Sequence, residues 1–197
     1  MKPSVIAIAA TLLFASAAAL AAPVSYRIDP NHTDVYFRWD YLGFVTPSGH
    51  AGQADGTLVY DAADPGKSSV RVSLPLSALD AHVDKLNERL RSADYFDAAN
   101  HPAITFRSTK VEPAGGNRLK VSGELTIRGV TKPVVLDAVL NKAGKHPARD
   151  VEAIGFSART TVKRSDFGIV SQLPRIGDDV AIDIAAFALA EDAPPAK

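Results

Sequence analysis

The sequence predicts an all-β chain of about eight short antiparallel strands, and three observations carry that prediction. Apolar residues recur at every second position in one segment after another. The segments are joined by tight-turn residues, and a single stretch departs from period two. Closing such strands into a barrel removes their free edges; a two-sheet sandwich is the alternative that periodicity leaves open.

The chain opens with Lys2 and an uninterrupted apolar and small-residue run, Val5 to Leu20, ending in Ala19-Leu20-Ala21 ahead of Pro23. This is the pattern of a secretory signal peptide cut after Ala21; as an anchor helix the run is barely long enough to span a bilayer. Residues 22–190 are then expected to form one domain. Val35, Phe37, Trp39 and Tyr41 share one face, with Arg38 and Asp40 opposite. Val70, Val72 and Leu74 alternate in the same way, and Ala103–Val111 sets Ile104 and Phe106 against Thr105, Arg107 and Thr109. Leu119, Val121, Leu125 and Ile127 continue the pattern, followed by Val134, Leu136, Ala138 and Leu140. Ile154, Phe156, Ala158 and Val162, then Val180, Ile182 and Ile184, complete it. These are half-buried strands. Asp64-Pro65-Gly66-Lys67, Gly115-Gly116-Asn117 and Arg128-Gly129-Val130-Thr131 supply the turns.

The exception is Asp84–Asp97. Leu86 and Leu90 stand four apart, Phe96 follows, Asp84 comes early and Arg89 and Arg91 late, which predicts a short amphipathic helix over about residues 84–93. Residues 191–197, polar and proline-rich, read as a disordered tail.

Composition removes much chemistry. The 197 residues carry 22 Lys plus Arg against 22 Asp plus Glu, and no Cys. Balanced charge without a basic block argues against a nucleic-acid partner. Without cysteine there is no disulfide framework, thiolate-held zinc, iron–sulfur cluster or thiol nucleophile. Losing Lys2 with the leader leaves one more acidic than basic side chain. The five histidines (His32, His50, His82, His101 and His146) lack metal-ligand spacing, so no metal site is expected. Asp166-Phe167-Gly168 matches a kinase tripeptide by letter but lacks every companion motif, and reads as a turn. No G-x-S-x-G elbow is present, and Ser92 and Asp94 read as turn residues. What remains is apolar: Phe37, Trp39, Tyr41, Leu42 and Phe44 form an aromatic-rich stretch in a chain with 7% aromatics.

Several segments, in this order and spacing, resemble one family. They are Tyr26-Arg27-Ile28-Asp29-Pro30; Gly52 to Tyr60; Arg89 to Asp97 running on to His101-Pro102-Ala103-Ile104-Thr105-Phe106; Gly123 to Val134; and Arg164-Ser165-Asp166-Phe167-Gly168-Ile169. From about Tyr26 to Leu189 the chain is similar to the YceI-like family of exported bacterial polyisoprenoid-binding proteins. The resemblance implies an extended, lipocalin-like, eight-stranded antiparallel barrel. Its interior would hold a long isoprenoid or related amphiphilic lipid, such as a polyprenyl phosphate or a quinone. It also implies a periplasmic or secreted location, peripheral rather than integral contact with membranes and, in some members, homodimers. It carries over no catalytic residue and no cofactor.

On that reading the pocket is expected from Phe37, Trp39, Tyr41, Leu42, Phe44, Leu74 and Leu79, from Leu86, Leu90 and Phe96 of the helical segment, and from Ile104, Phe106, Phe156, Phe167 and Ile169. His82, Arg91 and Asp94 are the candidates for a head group at the rim. Thr46-Pro47-Ser48-Gly49-His50 departs from the family pattern, so His50 receives no such role. Two alternatives stand beside lipid binding. An isomerase or hydrolase acting on a lipid in the same cavity needs a titratable group inside with a second polar group in reach. An outer-membrane barrel needs an apolar outer band, against which Arg38, Asp40, Arg107 and Lys120 argue.

Overall fold

A computed structural model describes residues 22–191. Its strands are β1 (Val24–Ile28), β2 (Asp34–Tyr41), β3 (Ser48–Ala51), β4 (Asp55–Tyr60), β5 (Ser69–Pro75), β6 (Leu79–Asp80), β7 (Ala103–Pro113), β8 (Arg118–Ile127), β9 (Val130–Lys145), β10 (Glu152–Lys163) and β11 (Ile176–Ala190), with one helix, α1 (Asp84–Arg91), between β6 and β7. The expected leader at 1–21 lies outside the described residues, as does the tail beyond Glu191. Glu191 itself is tied to the barrel, accepting from the Ser25 hydroxyl at 2.6 Å and donating its N–H to the Ser25 carbonyl at 3.0 Å.

The register shows why eleven segments make an eight-stranded ring. β1 pairs Tyr26–Ile28 with Ala190–Ala188 of β11, and β2 continues in the same direction along β11 from Asp34 opposite Ala185. Likewise β4 pairs with β1 and β3 with β2, while β5 pairs with β4 and β6 with β3. Three barrel strands are therefore each interrupted once, and closure comes from the β1–β11 pairing. The first interruption is stitched by a side chain: the Thr33 hydroxyl donates to the Phe187 carbonyl at 3.1 Å and accepts the Phe187 N–H at 3.0 Å. Thr33 thus takes the Phe187 N–H that the interruption leaves without a ladder partner, and shares the Phe187 carbonyl with the Asp29 N–H, which reaches it at 2.9 Å.

Closure settles the choice between barrel and sandwich. The long strands run as period two predicts between three register shifts, at Gly155/Phe156, Ile176/Val180 and Ser108/Lys110. A bulge between Ser108 and Lys110 shifts the phase of β7, so Val111 turns inward. β1, β3, β4 and β6 extend beyond the segments that periodicity marks. Phe106 lies over Gly123, where an added Cβ would meet its ring at 2.4 Å, and Phe37 lies over Gly49 with a corresponding approach of 2.5 Å.

β6 pairs with β3 alone, and β7 takes β5 as its partner, so the wall lacks a strand between β6 and β7. α1 closes that side, shorter than the predicted 84–93 because Ser92 is already extended. Outside, cross-strand ion pairs cover the wall: Arg27–Asp55, Arg38–Asp183, Arg107–Glu124, Lys120–Asp137 and Lys163–Asp179. Such a surface faces water, since charges on a lipid-facing strand are costly at mid-bilayer. No helix among the described residues is long and apolar enough to cross a membrane.

Candidate functional site

Inward alternation from every barrel strand converges on one interior cavity of about 310 Å³. That lies at the lower end of the size range of small-molecule pockets. Its lining runs the length of the barrel, from Tyr60, Ser69 and Leu119 toward one end to Trp39, Ile169 and Ile176 toward the other. The walls are carbon. Thr33, Ser68, Ser69, Thr160, Arg164 and the polar tips of Trp39, Tyr60 and Tyr95 are the exceptions. An apolar void of this kind stays dry and favours an apolar guest.

Twelve of the fifteen expected pocket residues lie in this lining. Phe37 and Trp39 stack with ring centroids 5.7 Å apart. Leu74 and Leu79 face in from the interrupted third strand, Leu86 and Leu90 from α1 and Phe96 from the turn after it. Ile104, Phe106 and Phe156 complete the strand contribution, and Phe167 and Ile169, 1% and 4% exposed, form the floor of a cluster with Tyr95 and Leu125.

Tyr41, Leu42 and Phe44 are corrected: they are exposed and outside the lining. The alternation that predicts Tyr41 inside ends there, because Leu42 and Gly43 take positive φ values of 57° and 72° and turn the chain back. Phe44 donates its N–H to the Tyr41 carbonyl at 3.1 Å, closing the turn.

The three head-group candidates also lie elsewhere than in the lining. The Arg91 guanidinium is committed to the backbone, donating to the carbonyls of Leu76 at 3.1 Å, Ser77 at 3.3 Å and Leu79 at 2.7 Å. It fastens α1 to the interrupted strand. Asp94 is exposed in the turn that follows. His82 is on the outer wall, its ring stacked on His50 at 5.9 Å, with Asp80 4.0 Å from Nδ1. The Asp80 carboxyl is held below the usual carboxylate range by hydrogen bonds from the Asn87 amide and the His82 N–H. His50 also contacts Asp34 at 3.1 Å. These groups hold the β3–β6–α1 junction together; among the described residues none forms a group of three or more arranged to hold a metal.

The residue that sequence reasoning missed is Arg164. It is 8% exposed and lines the cavity, yet its guanidinium donates to four carbonyls: Gly177 at 2.9 Å, Ile169 at 3.0 Å, Ser171 at 2.8 Å and Ile176 at 3.0 Å. The buried charge is thereby solvated by backbone dipoles. Alternation through Val162 contains the signal, since the next inward position is 164. Nearby, burial works against ionised Asp178, but the hydroxyl and N–H of Ser165 donate to it and Lys163 and Arg164 add positive field. Its carboxyl stays below the usual range.

Chemically the arrangement can hold an apolar chain. Among the described residues, the lining includes the hydroxyls of Tyr60 and Tyr95 and the guanidinium of Arg164, and no carboxylate, imidazole or amine.

Comparison with known proteins places these features in context. Residues 26–188 match the family model of the YceI-like domain. Protein YceI of Escherichia coli is 35% identical over 188 residues, covering 94% of this chain and 96% of that protein. The crystal structure of Burkholderia cenocepacia BcnA superposes with a TM-score of 0.74 at 24% identity, covering 82% of this chain and 99% of that one. A polyisoprenoid binding domain from Saccharophagus degradans, implicated in plant cell wall breakdown, superposes with a TM-score of 0.65 at 17% identity, over 85% of this chain and 99% of that one.

Proposed function

The chain belongs to the YceI-like family, and we propose on that premise that its barrel binds one long apolar chain, an isoprenoid or related amphiphilic lipid, and carries or sequesters it in the periplasm. The observation that carries this reading is the cavity itself: about 310 Å³, lined by carbon along the barrel axis. Burying such a chain releases roughly 25 cal/mol per Å² of apolar surface removed from water, and needs no directional contacts. The polyisoprenoid-binding neighbour supports the same class of guest. Binding rather than catalysis is favoured because, among the described residues, the lining has no acid–base pair and its buried cation, Arg164, is spent on carbonyls. Export is supported by the Val5–Leu20 run and the small–x–small pattern at Ala19–Ala21.

The test is organic extraction of protein purified from its native periplasmic fraction, followed by mass spectrometry of the lipid and of the chain. A bound prenyl or other long-chain species in stoichiometric amount, on a chain beginning at Ala22, is expected. A protein devoid of lipid that also fails to take up added prenyl phosphate or quinone would overturn the reading.

A further inference from the structure

The two rims of the barrel differ. Of the eight large hydrophobic side chains left exposed among the described residues, six stand toward one rim: Tyr41 at the end of β2, and Leu42, Phe44, Val45, Val83 and Val170 on loops. Strand directions put the β2–β3 loop, the β6–β7 segment with α1, the β8–β9 turn and the β10–β11 loop together there. Hydrogen bonds join them: the Leu42 N–H to the Arg175 carbonyl at 3.2 Å, and the Arg128 guanidinium to Gly168 and Ala93, each at 2.8 Å. The opposite rim carries Asp64 with Lys67, Asn117, and Lys145 with Asp150.

The apolar rim is built rather than incidental. Tyr41–Phe44 is a hairpin turn with positive φ at both central residues, a geometry for which Asn-Gly is the favoured pair. Leu42 occupies the position where Asn would relieve strain, and Phe44 stands 86% exposed behind a turn further fixed by the Gly43 N–H on the Asp40 carboxylate at 3.0 Å. Local stability is forgone to hold carbon in water. The patch is also continuous with the cavity: Tyr41 pairs with Ile176, which lines the interior, and Trp39 lines it two residues earlier on the same strand. The segment that carries α1, which closes the unstranded side of the wall, follows β6 toward this rim too.

We propose that this rim docks on the surface of a lipid bilayer, seating the end of the barrel where an apolar guest would enter or leave. The inference rests on the lipid-binding reading. A bilayer is the occupant favoured over a protein because a cavity lined by carbon takes cargo that resides in membranes.

The experiment is co-flotation of the chain processed after Ala21 with phosphatidylcholine vesicles containing a minor fraction of phosphatidylglycerol. Three proteins are compared: wild type, Leu42→Asn/Phe44→Ser, and Val135→Ser on the outer wall. Wild type and Val135→Ser are expected to float with the vesicles. Leu42→Asn/Phe44→Ser should lose roughly tenfold or more in partitioning while unfolding at an unchanged or higher temperature, because Asn suits the turn. Wild type that stays with the aqueous phase, or a double variant that floats as wild type does, overturns the docking. So does a wild-type dimer that the double variant converts to monomer without vesicle binding, which would assign the patch to a second copy. Lipid extracted from the same preparations reports separately on the cavity, so lipid-loaded protein that ignores vesicles sinks the docking alone.

Discussion

Substituting Ala158 by Phe separates an empty cavity from a filled core by the sign of its effect. Ala158 sits midway along β10, paired with Ala138 of β9 and Ile184 of β11, and all three face the cavity. The small pair leaves room where a phenyl ring can enter. At about 24 cal/mol per Å³, an unoccupied void of 310 Å³ costs about 7 kcal/mol relative to a filled one. A ring buried in it recovers about 2–3 kcal/mol. For a domain of this size that raises the unfolding temperature of lipid-free protein by about 4–12 °C. The same ring occupies space a guest needs, so the lipid recovered on extraction should fall. Calorimetry on delipidated protein and extraction from native protein are the two assays. Destabilisation by about 1–3 kcal/mol, the usual cost of overpacking, with lipid content unchanged, would mean that the interior is already filled by side chains.

Arg91→Ala removes the three bonds that fasten α1 to the interrupted strand; faster amide exchange in residues 84–97 and faster release of a fluorescent prenyl probe are expected, and Arg91→Lys should not restore either, since an ammonium cannot span three carbonyls as the guanidinium does. Asp178 predicts an acid limb. Its carboxyl lies below its ordinary value when folded, so its contribution to stability is present above the unfolded-state value of about 3.8 and is lost as pH falls through the lower folded value. Asp178→Asn should therefore flatten part of the loss of stability measured by denaturant titration below about pH 4, and a slope identical to wild type there would remove Asp178 from the account.

The long strands are legible in the sequence because β8, β9, β10 and β11 alternate over many residues, with one face toward carbon and the other toward water. β1, β3, β4 and β6 are not, because each is short and separated from its continuation by Asp29–Thr33, Gly52–Ala54 or Leu76–Ala78, where pairing lapses. Pocket residues on regular strands follow from period two, and the helical ones from the Leu86–Leu90 spacing. Tyr41, Leu42 and Phe44 escape it because a left-handed turn falls inside an apolar run, and a run gives no sign of where the chain reverses. Arg164 was hidden by its charge: the alternation reaches it, but a guanidinium reads as surface until four convergent carbonyls are seen. Arg91 shows the converse, a cation suited to a phosphate that the fold uses to hold its own backbone.

The most direct test of the central claim is a crystal structure of the protein isolated from its native compartment without delipidation. Continuous elongated density is expected along the barrel axis, in contact with Phe37, Phe106 and Phe156 and ending toward the rim that carries Phe44. An interior in which those side chains have closed on one another, leaving no space for a guest, would contradict the claim.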